Sequence, residues 1–153
     1  MHHAHLTYRK AVPEDAAACV RLRGQTRQNA VSAERLRSLG ITAESWAEDV
    51  RSDALPGYIC TDGDTLVGYC FGEKRSGEVV VLALLPTYEN CGIGRCLLSS
   101  VVADFAQSGI RRLFLGCSSD PASRSYGFYR HLGWKSTGIF EVRGDEVLEY
   151  FVS

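Results

Sequence analysis

The chain has 153 residues, 45% of them hydrophobic and 23% charged, with 17 basic and 18 acidic side chains and a net charge of −1. A chain of this length folds as one domain, spanning residues 1–153, and buries roughly 70% of the surface its unfolded form exposes, which argues against disorder and against a disulfide scaffold. The balanced charge lacks the field that nucleic acids or anionic membranes recruit, and no apolar run approaches the ~18 residues of a membrane span.

The start, Met1-His2-His3-Ala4-His5, has no apolar stretch of the kind a secretory leader carries, and its histidines read as a solvated terminus rather than a metal site. Residues 6–9 alternate apolar and polar as a strand does. Pro13, Glu14 and Asp15 open a helix through Ala16, Val20 and Leu22 that fades near residues 24–28, since proline suits a first turn and carboxylates its positive end. Leu36 and Leu39 mark a short helical piece before Gly40. Thr42 caps a further helix carrying Trp46 and Val50, which ends before Pro56-Gly57. Residues 58–61 and 65–71 form a hairpin about the Asp62-Gly63-Asp64 turn. After a second turn at 72–77, residues 78–85 are apolar on both faces and read as a central strand. Leu97, Leu98, Val101, Val102 and Phe105 then recur at helical spacing, giving a helix over 94–108 closed by Gly109. Residues 112–116 are a buried strand, 123–132 a short helix stopped by Gly133, and 134–142 with 147–152 a last hairpin. The order β-α-α-β-β-β-α-β-α-β-β describes a mixed α/β sheet.

None of the six cysteines, Cys19, Cys60, Cys70, Cys91, Cys96 and Cys117, has C-x-x-C or finger spacing. Cys60, Cys70 and Cys117 lie in apolar strands, where a thiol behaves as a small hydrophobe. Reduced thiols without a leader fit a cytoplasmic protein.

The informative stretch is LALLPTYENCGIGRCLL, residues 82–98. A buried strand ends at Pro86, and Gly92-Ile93-Gly94 leads into a helix. Glycines allow positive φ and close approach to a ligand, and a helix start offers unpaired N–H groups at the positive dipole end. This points to phosphate bound by the backbone of Asn90, Cys91, Gly92, Ile93, Gly94, Arg95 and Cys96; the alternative is a tight turn with no ligand. A P-loop requires Gly-Lys-Ser/Thr, and Gly94 precedes Arg95-Cys96. A dinucleotide fingerprint requires a third glycine where Leu97 stands.

The pattern Pro86-x-x-Glu89-x-x-Gly92-Ile93-Gly94-x-x-Leu97-Leu98 resembles the acetyl-CoA loop of the GCN5-related N-acetyltransferases. Downstream, Arg124-Ser125-x-x-Phe128-Tyr129-x-x-x-Gly133-Trp134 resembles the family's second motif, and residues 8–16 are similar to its first strand and helix, so the resemblance spans the chain. It implies a mixed, mostly antiparallel central sheet with flanking helices, splayed into a V. It implies acetyl-CoA as co-substrate and no metal. The pantetheine arm would lie along Leu84 and Leu85, where a backbone N–H polarises the thioester carbonyl. Ser125 and Tyr129 would also face the cofactor. Acceptor specificity would sit in residues 25–52 and the last hairpin, whose edge can pair into a homodimer. The acceptor would be an amine of a small molecule or peptide, with neither nucleic acid nor membrane as partner.

This sequence departs from the family pattern at Glu89, where Gln or Arg is usual. A carboxylate there would repel a pyrophosphate by roughly 1 kcal/mol at ~4 Å in water, unless it turns outward and leaves binding to the backbone. Ser125 replaces alanine, and no asparagine precedes Arg124. Glu89 and the missing asparagine support a second reading, a non-catalytic acyl-CoA sensor with the same fold.

By resemblance Tyr129 would protonate the departing thiolate; otherwise it is a packed aromatic beside Phe128. Glu78, 14 residues before Gly92, stands where some members place a catalytic base; otherwise it is an ordinary strand-start charge. His131 points away from Tyr129 and reads as surface. Cys91 and Cys96 read as packing, Trp46 as a core anchor, and Glu44, Glu48, Asp49 and Asp53 as a solvated helix face. Tyr88 either borders the acceptor or caps the loop.

Overall fold

The structure, a computed structural model, describes residues 5–152, so His2 and His3 lie outside the described residues. Seven strands form one sheet in the order β1-β2-β3-β4-β5-β7-β6: β1 (Leu6–Lys10), β2 (Gly57–Asp62), β3 (Thr65–Glu73), β4 (Glu78–Leu84), β5 (Arg112–Cys117), β6 (Lys135–Phe140) and β7 (Glu146–Phe151). All neighbours are antiparallel except β4 and β5. Three helices link β1 to β2, α1 (Ala16–Arg23), α2 (Ala33–Ser38) and α3 (Ala43–Arg51), the second being the short piece marked by Leu36 that the element order above leaves uncounted. This α2 is a six-residue helix that buries only Leu36 and is started by Ser32, whose Oγ accepts the Arg35 N–H. Thr42 caps α3 as its sequence predicts, accepting the Ser45 N–H at 3.0 Å.

Helices cover both faces. On one, α4 (Ile93–Gln107) presses Leu97, Val101 and Phe105 onto Cys70, Val79 and Leu113. On the other, α1 and α3 bring Cys19, Leu22 and Trp46 against Ile59, Tyr69 and Phe71. Trp46 meets Tyr69 and Phe71 edge-on with ring centres 5.6 and 5.3 Å apart, confirming it as the anchor of α3. Cys60, Cys70 and Cys117 are buried among these apolar groups. Glu44, Glu48, Asp49, Asp53 and His131 are exposed. Among the described residues no helix is long and apolar enough to cross a membrane.

The sheet splits at its centre. Strands β4 and β5 run parallel but register only at Glu78 and Phe114, where the Phe114 N–H also donates to Gly77 O at 3.1 Å. Beyond that point β5 stays with β7 along its whole length while β4 stays with β3, so a gap opens toward Leu84. Gly77 sits at the apex with φ +85°, and a Cβ there would stand 2.7 Å from the Arg112 carbonyl oxygen. Only glycine satisfies both conditions.

Strand β3 runs two residues further than its pattern indicates, because Gly72 and Glu73 still pair with Val79 and Glu78 past a bulge at Phe71/Gly72. Strand β6 is shorter, since its pairing with β7 breaks between Ser136 and Phe140.

Candidate active site

Helix α4 starts one residue earlier than its apolar spacing indicates. Gly92 takes a left-handed conformation (φ +81°) as the N-terminal cap, following Asn90 at φ +62°. A Cβ on Gly92 would meet nothing within 4 Å, so the cap faces open space. The first-turn N–H groups, from Ile93, Gly94 and Arg95, have no partner inside the helix, and 15 residues of aligned peptide dipoles stand behind them. Cys96 is already past that turn. Its N–H donates to Gly92 O at 3.2 Å, so its backbone is not free for an anion, which corrects the assignment of Cys96 to the cradle.

These N–H groups open into a cavity of about 310 Å³. Its walls come from Leu82 and Leu84 on β4, residues 92–95, and Ser125, Phe128 and Tyr129 on α5 (Arg124–His131). Residues 26–29, between α1 and α2, line it too. Among the expected site residues, Leu84, Asn90, Gly92, Ile93, Gly94, Arg95, Ser125 and Tyr129 therefore meet in one slot. Leu85, Cys91, Cys96 and Glu78 do not line it. Cys91 is exposed rather than packed, its thiol 3.4 Å from the Glu89 carbonyl.

Strand alternation explains which residues of β4 serve the slot. The Leu85 N–H donates to Val67 O at 2.9 Å, and its side chain lines a second cavity on the α1 face. With Leu85 bonded to β3, the neighbouring pair Gly68–Leu84 is a non-hydrogen-bonded one, as is Cys70–Leu82. The main-chain groups of Leu84 and Leu82 therefore point into the gap. Leu85 is corrected on this ground, and Leu82 lines the slot, a placement that sequence reasoning missed.

Helix α5 is fixed from below. Arg130 donates to the buried Glu146 carboxylate on β7 at 2.6 Å and lies over the Tyr126 ring at 3.6 Å. This holds Tyr129 in place, with Phe128 and Trp134 ring centres at 5.0 and 6.1 Å. Burial, with Cys70 and Cys117 nearby, pushes the Tyr129 phenol well above its ordinary range, so it stays protonated.

Glu78 stands at the closed end of the V. Burial raises its carboxyl above the usual range, helped by Glu73 and Glu141. It precedes Leu82 by four residues, about 13 Å of extended strand.

Glu89 does not turn outward. Its Oε1 accepts from Arg27 Nε at 2.8 Å and from Arg124 Nη1 at 2.7 Å, and Arg124 Nη2 reaches Asn90 Oδ1 at 2.9 Å. The carboxylate expected to repel a phosphate is neutralised by two cations. Tyr88 donates to Asp62 at 2.5 Å, tying the loop after β4 to the β2–β3 turn.

A family model described as the acetyltransferase (GNAT) family matches residues 19–134, spanning α1 through α5. The chain belongs to this family. Its fold is shared by solved GNAT structures. The PaiA N-acetyltransferase of Thermoplasma acidophilum, in complex with coenzyme A, is 20% identical over 96% of this chain and 99% of its own, with a TM-score of 0.79. YncA of Salmonella typhimurium, solved with acetyl-CoA, is 18% identical over 97% of this chain and 95% of its own, at 0.75. The ribosomal-protein-S18-alanine N-acetyltransferase of Escherichia coli is 16% identical over 97% and 94%, at 0.69. No curated protein matches the chain. GNAT acetyltransferases use acetyl-CoA as co-substrate, and the slot fits it: a helix start for phosphate, and an apolar gap beside free main-chain groups for the pantetheine arm.

Proposed function

We propose that the chain transfers the acetyl group of acetyl-CoA to a primary amine of a small molecule or peptide by direct attack. The reading rests on one juxtaposition: an anion cradle, gap-facing main-chain groups and a half-buried phenol share one cavity. The first-turn N–H groups of α4 hold pyrophosphate. The Leu82 and Leu84 N–H groups face the gap, where one of them stabilises the oxyanion that forms on the thioester carbonyl. Tyr129 donates its proton to the departing thiolate. An ordinary phenol titrates near ~10 and a thiol near ~8.5; the apolar surroundings raise both, so the transfer is governed by their difference.

The incoming ammonium must lose a proton before it attacks. Glu78 takes it through water, since the strand between Glu78 and Leu82 is too long for direct contact. Its raised pKa sets the sign of the pH dependence: the basic form is lost as pH falls through a value above the ordinary carboxylate range.

The non-catalytic sensor reading drew on Glu89 and on the asparagine missing before Arg124, and the pairing of the Glu89 carboxylate with Arg27 and Arg124 removes the first of these two supports.

Free thiol release from acetyl-CoA, followed across pH with a panel of amines and with the acetylated amine identified by mass, tests the reading. The expected result is one thiol per acetylated amine, with an acidic limb that Glu78→Gln abolishes while lowering kcat about tenfold. Turnover by no amine contradicts the transferase, and an unchanged limb in Glu78→Gln contradicts the base.

A further inference from the structure

The donor slot uses the side of the central gap that α4 and α5 cover. The opposite side is bare beyond β4. The apolar cluster beneath α1 and α3 takes residues from β2, β3 and β4 but none from β5, β6 or β7. Leu113, Leu115 and Cys117 of β5 belong to the α4-side cluster, so alternation turns Phe114 and Gly116 to the bare side. Glu78 faces the same way, since its neighbour Val79 packs under α4. One further carboxylate stands there. Glu141, in the turn between β6 and β7, folds back onto β5, where a Cβ on Gly116 would overlap its Oε1. The turn holds its main chain: the Glu141 N–H donates to Asp145 O at 2.7 Å, and its carbonyl accepts from the Gly144 N–H at 2.8 Å. No cation among the described residues pairs with the Glu141 carboxylate, and Arg112, on the same side, is taken by Glu149 at 2.8 Å. Gly116 lies two residues beyond Phe114, the partner of Glu78, which is about 7 Å along β5. Leu82 lies about 13 Å beyond Glu78, so the Glu141 carboxylate stands about 6 Å short of the reacting end, the span of a short diamine.

We infer that Glu141 is a specificity-determining residue on the acceptor side: its carboxylate takes a second cationic group of the acceptor, so the chain selects amines that carry another positive charge over monoamines and over amines that carry a carboxylate. The inference rests on the acetyltransferase reading and narrows its acceptor. In open water such an ion pair contributes little. Between the sheet and a bound thioester it loses part of its water, and the attraction strengthens. An acceptor carboxylate at the same place meets Glu141 and Glu78 together and is repelled.

The test is kcat/KM with acetyl-CoA for three four-carbon acceptors, 1,4-diaminobutane, 1-aminobutane and 4-aminobutanoate, in the unmodified chain, Glu141→Gln and Gly116→Ala. Glu141→Gln removes the charge at an exposed position without a partner. Gly116→Ala keeps the charge and moves it: Gly116 has no positive φ, so alanine fits the strand and its Cβ displaces the flexible end of Glu141. The unmodified chain is expected to prefer the diamine to the monoamine at least about tenfold, the scale of one charge-assisted hydrogen bond, and to use 4-aminobutanoate least. Each variant is expected to lower the diamine-to-monoamine ratio about tenfold while the KM for acetyl-CoA stays the same. The double variant should lose no more than Glu141→Gln, because both changes act on one carboxylate. Equal use of diamine and monoamine by the unmodified chain, or a ratio unmoved in either single variant, overturns the assignment of Glu141. Turnover of none of the three also overturns it, and turnover of no amine at all overturns the transferase reading as well.

Discussion

Replacing Tyr129 by Phe lowers kcat about 100-fold, within the usual range for loss of a general acid, and leaves coenzyme A affinity nearly unchanged. The substitution removes one oxygen and keeps the ring. Phe128 and Trp134, at 5.0 and 6.1 Å, hold a Phe ring as they hold Tyr129. Any loss then reports on the hydroxyl. The phenol is protonated across the working range, so its service to the reaction is the proton it gives as the thiolate leaves, an interaction made only near the transition state. A donor whose thiol has a lower pKa depends less on that proton and recovers part of the rate. Steady-state kinetics with acetyl-CoA and such a thioester read both effects. An unchanged kcat removes Tyr129 from the chemistry.

Gly77→Ala destabilises the fold by about 3 kcal/mol, from a left-handed backbone that costs a side-chain-bearing residue ~1–2 kcal/mol and from a clash of similar size. The alanine Cβ would stand 2.7 Å from the Arg112 carbonyl oxygen, and a backbone group on a paired strand gives way less readily than a side-chain end. For a domain of this size the melting temperature falls by roughly 6–12 °C. Gly63 supplies the control. It also has positive φ (+59°), but a Cβ there meets nothing within 4 Å, so Gly63→Ala loses only the conformational part, about 1 kcal/mol. Gly77→Ala also weakens coenzyme A binding, because the Phe114–Gly77 hydrogen bond closes the V that shapes the slot. Equal melting shifts in the two variants contradict the apex argument.

The chain order of elements was legible because each carries its own period or punctuation. Leu97, Leu98, Val101 and Phe105 bury one face of α4, as their spacing requires, and Gly133 ends α5. The phosphate cradle was legible for the same reason, since glycines at a strand-to-helix turn are a local signal. Its limits were not. Placing the helix start at Gly94 makes Cys96 a first-turn residue, whereas capping by Gly92 moves Cys96 into the hydrogen-bonded ladder. One residue of shift decides whether an N–H is available. Choosing Leu84 and Leu82 over Leu85 likewise needs the β3–β4 register, which passes through a bulge that no period announces. The role of Glu89 was beyond reach. Its partner Arg27 lies 62 residues away in a connection without periodicity, and only the folded chain brings them to 2.8 Å. What local chemistry specifies was readable, and what long-range pairing specifies was not.

Calorimetric titration of acetyl-CoA into the purified protein tests the central claim, that the slot beside the α4 N-terminus holds this co-substrate. The account predicts one site per chain with micromolar affinity, weakened at least about tenfold by Gly92→Val, since a β-branched residue resists φ +81° at the cap. Absence of binding at millimolar acetyl-CoA, or affinity indifferent to Gly92→Val, would contradict it.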